Sequence, residues 1–333
     1  MHSLSARVDR RRVLGGLALA PVAIAVDTAA AQEPWPSRTI TMIVPYPPGG
    51  QSDLAARPIA EALQRILKAT VVVENRQGAG GAIGNAAAAR AAPDGYTLLM
   101  TPSSLAVLPE SQRLLGRRPG YEVDQLKPIA RVLADPTLLA VPARAPWKCV
   151  KDLVDDARTR PGAIPYGSSG TYGTLHVAME MFAASAGIRL LHVPYLGAGP
   201  ALIDLLSGQI QALASAPGVL KQQVEAGSLR ILANWGAERI ASFPDVATFR
   251  ELGYPDVEFY IWAGLFAPKD MPEPITVRLR EAMRQAMADA DVLRVFTAAA
   301  SQPAYLDAAD FARFVASDSA RLITAVQRFW KVE

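Results

Sequence analysis

From Thr39 onward the chain alternates between short apolar, strand-like runs and longer amphipathic, helix-like runs, and this alternation is the strongest constraint on its fold. Strands that recur between helices bury both of their faces, so the arrangement expected is α/β with mainly parallel sheets. The spacing predicts strands over 39–44, 71–74 and 97–100, with a helix over 54–67 that carries Leu54, Ile59, Leu63 and Ile66 on one side. The pattern resumes with strands over 138–141, 164–167, 210–214, 229–234 and 260–266. Helices are expected over 150–160, 174–186, 200–206, 218–226, 274–287 and 308–331. Pro58 falls inside the first helix, where a proline removes a hydrogen bond, so that helix is expected to bend or to begin later.

The first 31 residues read as a separate segment. Arg10, Arg11 and Arg12 precede an apolar run from Val13 to Val26, and Ala29, Ala30 and Ala31 supply small residues for cleavage. That is the layout of an export signal, and the paired arginines also fit the twin-arginine form. The apolar run is shorter than the roughly 20 residues a membrane-spanning helix needs. The whole chain holds 34 basic and 31 acidic residues, of which four and two lie before Ala31, leaving 30 and 29. That near-neutral balance, with no basic cluster interleaved with aromatics, argues against a nucleic-acid partner. About 300 remaining residues exceed what one core organises, so two domains are expected, with crossings near Asp135-Pro136 and Tyr254-Pro255. Cys149 is the only cysteine, which rules out an internal disulfide and reads as a small buried apolar residue.

Three turns stand out as candidate ligand sites. In residues 40–53, ITMIVPYPPGGQSD, a strand runs through a Pro/Gly turn into a helix. The second, Tyr166-Gly167-Ser168-Ser169-Gly170-Thr171-Tyr172-Gly173, leads to the helix that carries His176. The third is Pro194-Tyr195-Leu196-Gly197-Ala198-Gly199-Pro200. Each leaves free N–H groups at a helix start, which favours an anion there without any lysine or arginine. In open α/β sheets such turns gather beyond the carboxyl ends of the strands, where ligands bind.

These pieces resemble a known family, the substrate-binding proteins of tripartite tricarboxylate transporters, or Bug (TctC-like) proteins. The resemblance rests on Pro36-Ser37-Arg38, on Ile43-Val44-Pro45-Tyr46-Pro47-Pro48-Gly49-Gly50-Gln51-Ser52-Asp53 and on Val73-Glu74-Asn75-Arg76-Gln77-Gly78-Ala79-Gly80-Gly81. It continues through Ala92-Pro93-Asp94-Gly95-Tyr96-Thr97-Leu98-Leu99, the serine-rich turn, His192-Val193-Pro194-Tyr195 with Gly197 and Pro200, and Leu205-Leu206-Ser207-Gly208-Gln209. It implies a two-lobed periplasmic binding protein of type II character, with 35–137 plus 262–333 as one lobe, 138–261 as the other, and the ligand cleft between them. It implies ligand contacts at Tyr46, Gly49, Gly50, Ser168, Gly170, Thr171, His176, Tyr195 and Ser215, with Asp53 as a brace, since a carboxylate beside an anionic ligand would repel it. The implied ligand is a small carboxylate, a di- or tricarboxylate or an aromatic acid, passed by a monomer to an integral-membrane permease. Where relatives often carry an acidic residue followed by Asn, this chain has Ser215-Ala216, which speaks against amino-acid ligands.

Enzymatic readings find little support. Gly78-Ala79-Gly80-Gly81-Ala82-Ile83-Gly84 misplaces the third glycine of a dinucleotide fingerprint, and no Walker lysine follows. Gly167-Ser168-Ser169-Gly170-Thr171 lacks the final glycine of a nucleophile elbow. Ser168 with His176 or His192 and Asp204 could still form a triad, since triads depend on geometry alone. No metal-ligand spacing joins the two histidines that follow the signal segment, so neither metal nor cofactor is expected. The expected function is solute binding without catalysis, with ligand presentation to a signalling receptor as the alternative and a serine hydrolase as the remoter one.

Overall fold

The computed structural model describes residues 35–330. The signal segment expected at 1–31 and its export route lie outside the described residues. The first half runs β1 (Ile40–Val44), α1 (Gln51–Leu67), β2 (Val71–Asn75), α2 (Ala82–Ala89), β3 (Thr97–Pro102), α3 (Ser104–Leu114) and β4 (Leu126–Pro136). Next come β5 (Leu138–Pro142), α4 (Val150–Thr159), β6 (Pro165–Ser168), α5 (Thr174–Ala186), β7 (Leu191–Pro194), α6 (Ala198–Ser207), β8 (Ala212–Ser215), α7 (Pro217–Glu225) and β9 (Leu229–Asn234). The last part is β10 (Tyr260–Pro268), α8 (Glu273–Ala288), α9 (Ala290–Ala298), β11 (Pro303–Asp307) and α10 (Ala308–Trp330).

Two sheets result, a six-stranded one in the order β11-β4-β10-β3-β1-β2 and a five-stranded one in the order β7-β6-β8-β5-β9. The chain leaves the first sheet after β4, and β10 brings it back. The architecture is α/β, as the alternation predicts, but the sheets are mixed rather than mostly parallel. β1 pairs in parallel with β2 and β3, and β6 with β7 and β8, while the pairings of β5, β10 and β11 with their neighbours are antiparallel. The crossings explain this. β3 and β8 end at the boundary between the sheets, whereas β5 and β10 start there, so Leu138 pairs with Ser215 and Ala263 with Pro102 in opposite directions.

β1 has a neighbour on each side, and its Ile40, Met42, Ile43 and Val44 are at most 1 % exposed. Against it α1 turns Ala55, Ile59, Ala62, Leu63 and Leu67, spaced as one face of a helix requires, and burying each large side chain is worth about 2 kcal/mol. The second sheet is held by an aromatic knot in which Phe249 lies 4.5 Å from Trp235 and 4.8 Å from Phe182 between ring centroids. Two expectations need correction. Helix α1 starts at Gln51, earlier than expected rather than later, and runs on through Pro58, because the Asp53 and Leu54 N–H groups close its first turn onto Gly50 O ahead of the proline. Cys149 is exposed rather than buried, because it precedes α4 and its N–H donates to Asp152 Oδ2 at 3.3 Å.

Candidate functional site: an uncharged cavity at four helix starts

α1, α5, α6 and α7 begin at one narrow cavity. The first sheet contributes Tyr46, Gly50, Gln51, Ser52, Pro102 and Ile261 to its wall, and the second contributes Ser169, Thr174, Leu175, Ala198, Ser215 and Ala216. Gly50 and Ala216 are the residues just before α1 and α7, while Gln51, Thr174 and Ala198 open α1, α5 and α6. The first N–H groups of a helix have no partner within it and carry partial positive charge, so four such ends make the cavity receptive to an anion. None of the lining residues is Asp, Glu, Lys, Arg or His.

Four of the six polar side chains on the wall fall into two groups. Tyr46 is tied down: its hydroxyl donates to Gly80 O and lies 2.7 Å from Ser104 Oγ, and burial pushes its pKa up to about 12. Gln51 Oε1, Thr174 Oγ1 and Ser215 Oγ are buried without a hydrogen-bond partner among the described residues. Buried polar atoms are nearly always paired, so three unpaired ones on one wall mark a place where a ligand or water completes the bonding. Behind Gln51, Asp135 is fully buried, and that burial pushes its carboxyl up to about 6. It accepts from Gln51 Nε2 at 3.0 Å and from Gln302 N at 2.6 Å.

Of the residues the sequence nominates, the structure brings Tyr46, Gly50 and Ser215 together on this wall, while the others lie elsewhere. Gly49, with φ +84°, spends its N–H on Asp53 Oδ2 at 3.0 Å. The Asp53 carboxylate also accepts from Arg57 Nε at 2.9 Å, Arg57 Nη2 at 2.8 Å and Asn75 Nδ2 at 3.0 Å, away from the cavity wall. Gly170, Thr171 and Tyr195 line a separate recess with Arg117 and Leu196. The Tyr195 hydroxyl donates to Asp204 Oδ2 at 2.7 Å, and burial together with that carboxylate raises its pKa to about 12.

Ser168 and His176 sit beneath the second turn. Ser168 Oγ lies 2.6 Å from His192 Nε2 and accepts the Gly170 N–H at 3.1 Å. His176 Nδ1 accepts the Tyr172 N–H at 3.0 Å, so it holds the backbone of the turn and is not among the residues that line the cavity, where a ligand contact was expected. The two imidazoles stack with centroids 4.0 Å apart, and burial lowers His176 to about 3 and His192 to about 4. Ser168 and His192 thus make a dyad, but Ser168 is fully buried and Asp204, the acid expected to complete a triad, bonds Tyr195 instead. Among the described residues, no three His, Cys, Asp or Glu side chains gather to hold a metal ion.

Sequence reasoning missed Gln51, Ser169 and Thr174, each one to three residues from a nominated neighbour, and also the apolar contributions of Pro102, Leu175 and Ile261. Outside the cavity lining, turns from the two sides approach each other through glycines. A Cβ on Gly197 would stand 2.6 Å from the Pro47 ring, and one on Gly170 would stand 3.0 Å from Gly80 Cα.

Residues 55–329 match the model of the tripartite tricarboxylate transporter family receptor. The chain belongs to that family. BugT of Bordetella pertussis is 36% identical over 289 residues, covering 86% of this chain and 87% of the relative. Rpa4515 of R. palustris, solved with adipate, superposes with a TM-score of 0.83 at 29% identity, covering 89% of this chain and 98% of its own. MatC of Rhodopseudomonas palustris, solved with bound malate, gives a TM-score of 0.81 at 27% identity, covering 88% and 100%. Tripartite tricarboxylate transporter receptors are solute-binding proteins rather than catalysts, and this chain shares their two-lobed α/β fold.

Proposed function

We propose that this receptor captures a small carboxylate in the periplasm and delivers it to a tripartite-transporter permease. The observation that carries this reading is the convergence of four helix starts and two unpartnered hydroxyls, Thr174 and Ser215, on a cavity without a charged wall. Such a site stabilises a carboxylate by oriented N–H groups and hydroxyls, which hydrogen-bond an anion strongly when water is excluded. Adipate and malate in the solved relatives have matching chemistry. The lobes are 35–137 with 260–333, and 138–259, the expected boundary at 261 moving to the start of β10 because Tyr260 and Ile261 already pair with β4. They close because only the closed state lets donors from both reach one ligand. Tyr46, Gly50 and Ser215 touch the ligand together with Gln51, Ser169 and Thr174, while Asp53, Ser168, Gly170 and His176 hold the turns in place.

The test is a thermal-shift and calorimetric screen of the purified protein against di-, tri- and aromatic carboxylates. Binding at micromolar Kd, about −8 kcal/mol, is expected for at least one of them. Silence across the panel would sink the reading.

A further inference from the structure

Gln51 opens α1, lines the cavity and is 6% exposed. Its side-chain amide has a fixed orientation. Nε2 donates to the Ile261 carbonyl oxygen and, at 3.0 Å, to Asp135 Oδ2. A backbone carbonyl is an acceptor at every pH, so turning the amide over would set two acceptors against each other. Oε1 is therefore the atom left over, buried and without a partner among the described residues.

An amide oxygen can only accept. Thr174 Oγ1 and Ser215 Oγ, also unpartnered on this wall, can each donate to a carboxylate, but a carboxylate has nothing to offer Gln51 Oε1. Water can donate to that atom in the empty cavity, but a ligand that displaces the water must bring a donor of its own, because leaving the oxygen unpaired is costly. An ammonium group fits poorly, since no carboxylate side chain lines the cavity and the Asp135 oxygens are taken by Gln51 and Gln302.

We infer that the ligand is a hydroxy acid, and that Gln51 Oε1 accepts a hydrogen bond from its hydroxyl while the helix starts hold its carboxylate. This rests on the carboxylate reading above and narrows it. Gln51 acts on specificity: it penalises the analogue that lacks the hydroxyl more than it attracts the one that has it.

The experiment is calorimetry on matched pairs, malate with succinate, lactate with propionate and 4-hydroxybenzoate with benzoate, with alanine as the amino counterpart of lactate. In at least one pair the hydroxy acid binds about tenfold or more tightly than its deoxy partner. Gln51→Met, which keeps the bulk and removes the acceptor, brings that ratio close to one. Equal affinities within every pair that binds, alanine binding more tightly than lactate, or an unchanged ratio in Gln51→Met would each overturn this inference and leave the carboxylate reading standing. If no acid in the panel binds, both fall. The wild-type ratios decide the matter even if the variant fails to fold.

Discussion

The turns on the two sides of the cavity do the same job and are held by opposite means. On the first sheet, the turn before α1 is braced by charge: Asp53 gathers the Gly49 N–H, the Arg57 guanidinium and Asn75, whose Nδ2 also donates to Tyr46 O at 2.9 Å. On the second sheet, the turn before α5 is braced by neutral groups: Ser168 on His192, His176 on the Tyr172 amide, and two stacked imidazoles. A turn that offers bare N–H groups to an anion must be propped from behind, and either device can do this. The charged brace needs its own counter-ion, and Arg57 supplies it from a half-exposed position. The neutral brace needs none but works only while both imidazoles stay unprotonated, so protonating either histidine would undo it.

The sharpest way to break this comparison is Asp53→Ala. It removes the partner of a backbone amide, a guanidinium and a carboxamide at once and leaves a gap where the buried Asp53 side chain sat, and about 3 kcal/mol of unfolding free energy is expected to go with it. Urea denaturation measures the loss, and a change below about 1 kcal/mol would mean that the charged brace is ornamental.

The second test is pH. Unfolded, each imidazole titrates near 6.5, whereas in the folded chain His176 titrates near 3 and His192 near 4, so between these values unfolding takes up protons. Stability therefore falls as pH drops from 6.5 towards 4. Asp135 opposes with one proton, because its folded value near 6 lies above its unfolded 3.8. The net uptake is about one proton, or about 1.4 kcal/mol lost per pH unit. Denaturation curves between pH 7 and 4 that show no such slope would remove the distinction between the two braces.

The smallest stability effect belongs to the cavity wall itself. Thr174→Val deletes a buried hydroxyl that has no partner, so the ligand-free protein should change by less than about 0.5 kcal/mol while carboxylate affinity drops about tenfold. A large loss of ligand-free stability would show that Thr174 belongs to the brace rather than to the wall.

The alternation, the strand ends and the three glycine turns were legible in the sequence because each is a local pattern. Which atoms face the cavity was not. Consecutive residues of an extended segment point to opposite sides, so a one-residue change of parity puts Ser169 rather than Ser168 on the cavity wall. In the same way Gly49 turns its N–H to Asp53 while its neighbours Gly50 and Gln51 reach the cavity. The mixed sheets escaped for another reason: strand direction depends on where the chain re-enters, and no stretch of β5 or β10 records that. Strands β4 and β11 and helix α3 were missed too, as was helix α9. It follows α8 almost at once, and its start is marked mainly by Asp289, whose side chain accepts from the Asp291 N–H at 2.8 Å.

The glycine contacts between the two sides bear on timing. Gly197 against Pro47 and Gly170 against Gly80 bring the sheets together with no side chain on the glycine side that could swing out of the way. A gate made of rotamers flickers in nanoseconds, but a seam closed by backbone opens only when whole segments part, typically in microseconds to milliseconds. Residence time is then set by how often the protein gapes, and a cargo that bonds both sides makes gaping rarer. A membrane partner that pries the seam open would control delivery without touching the cargo.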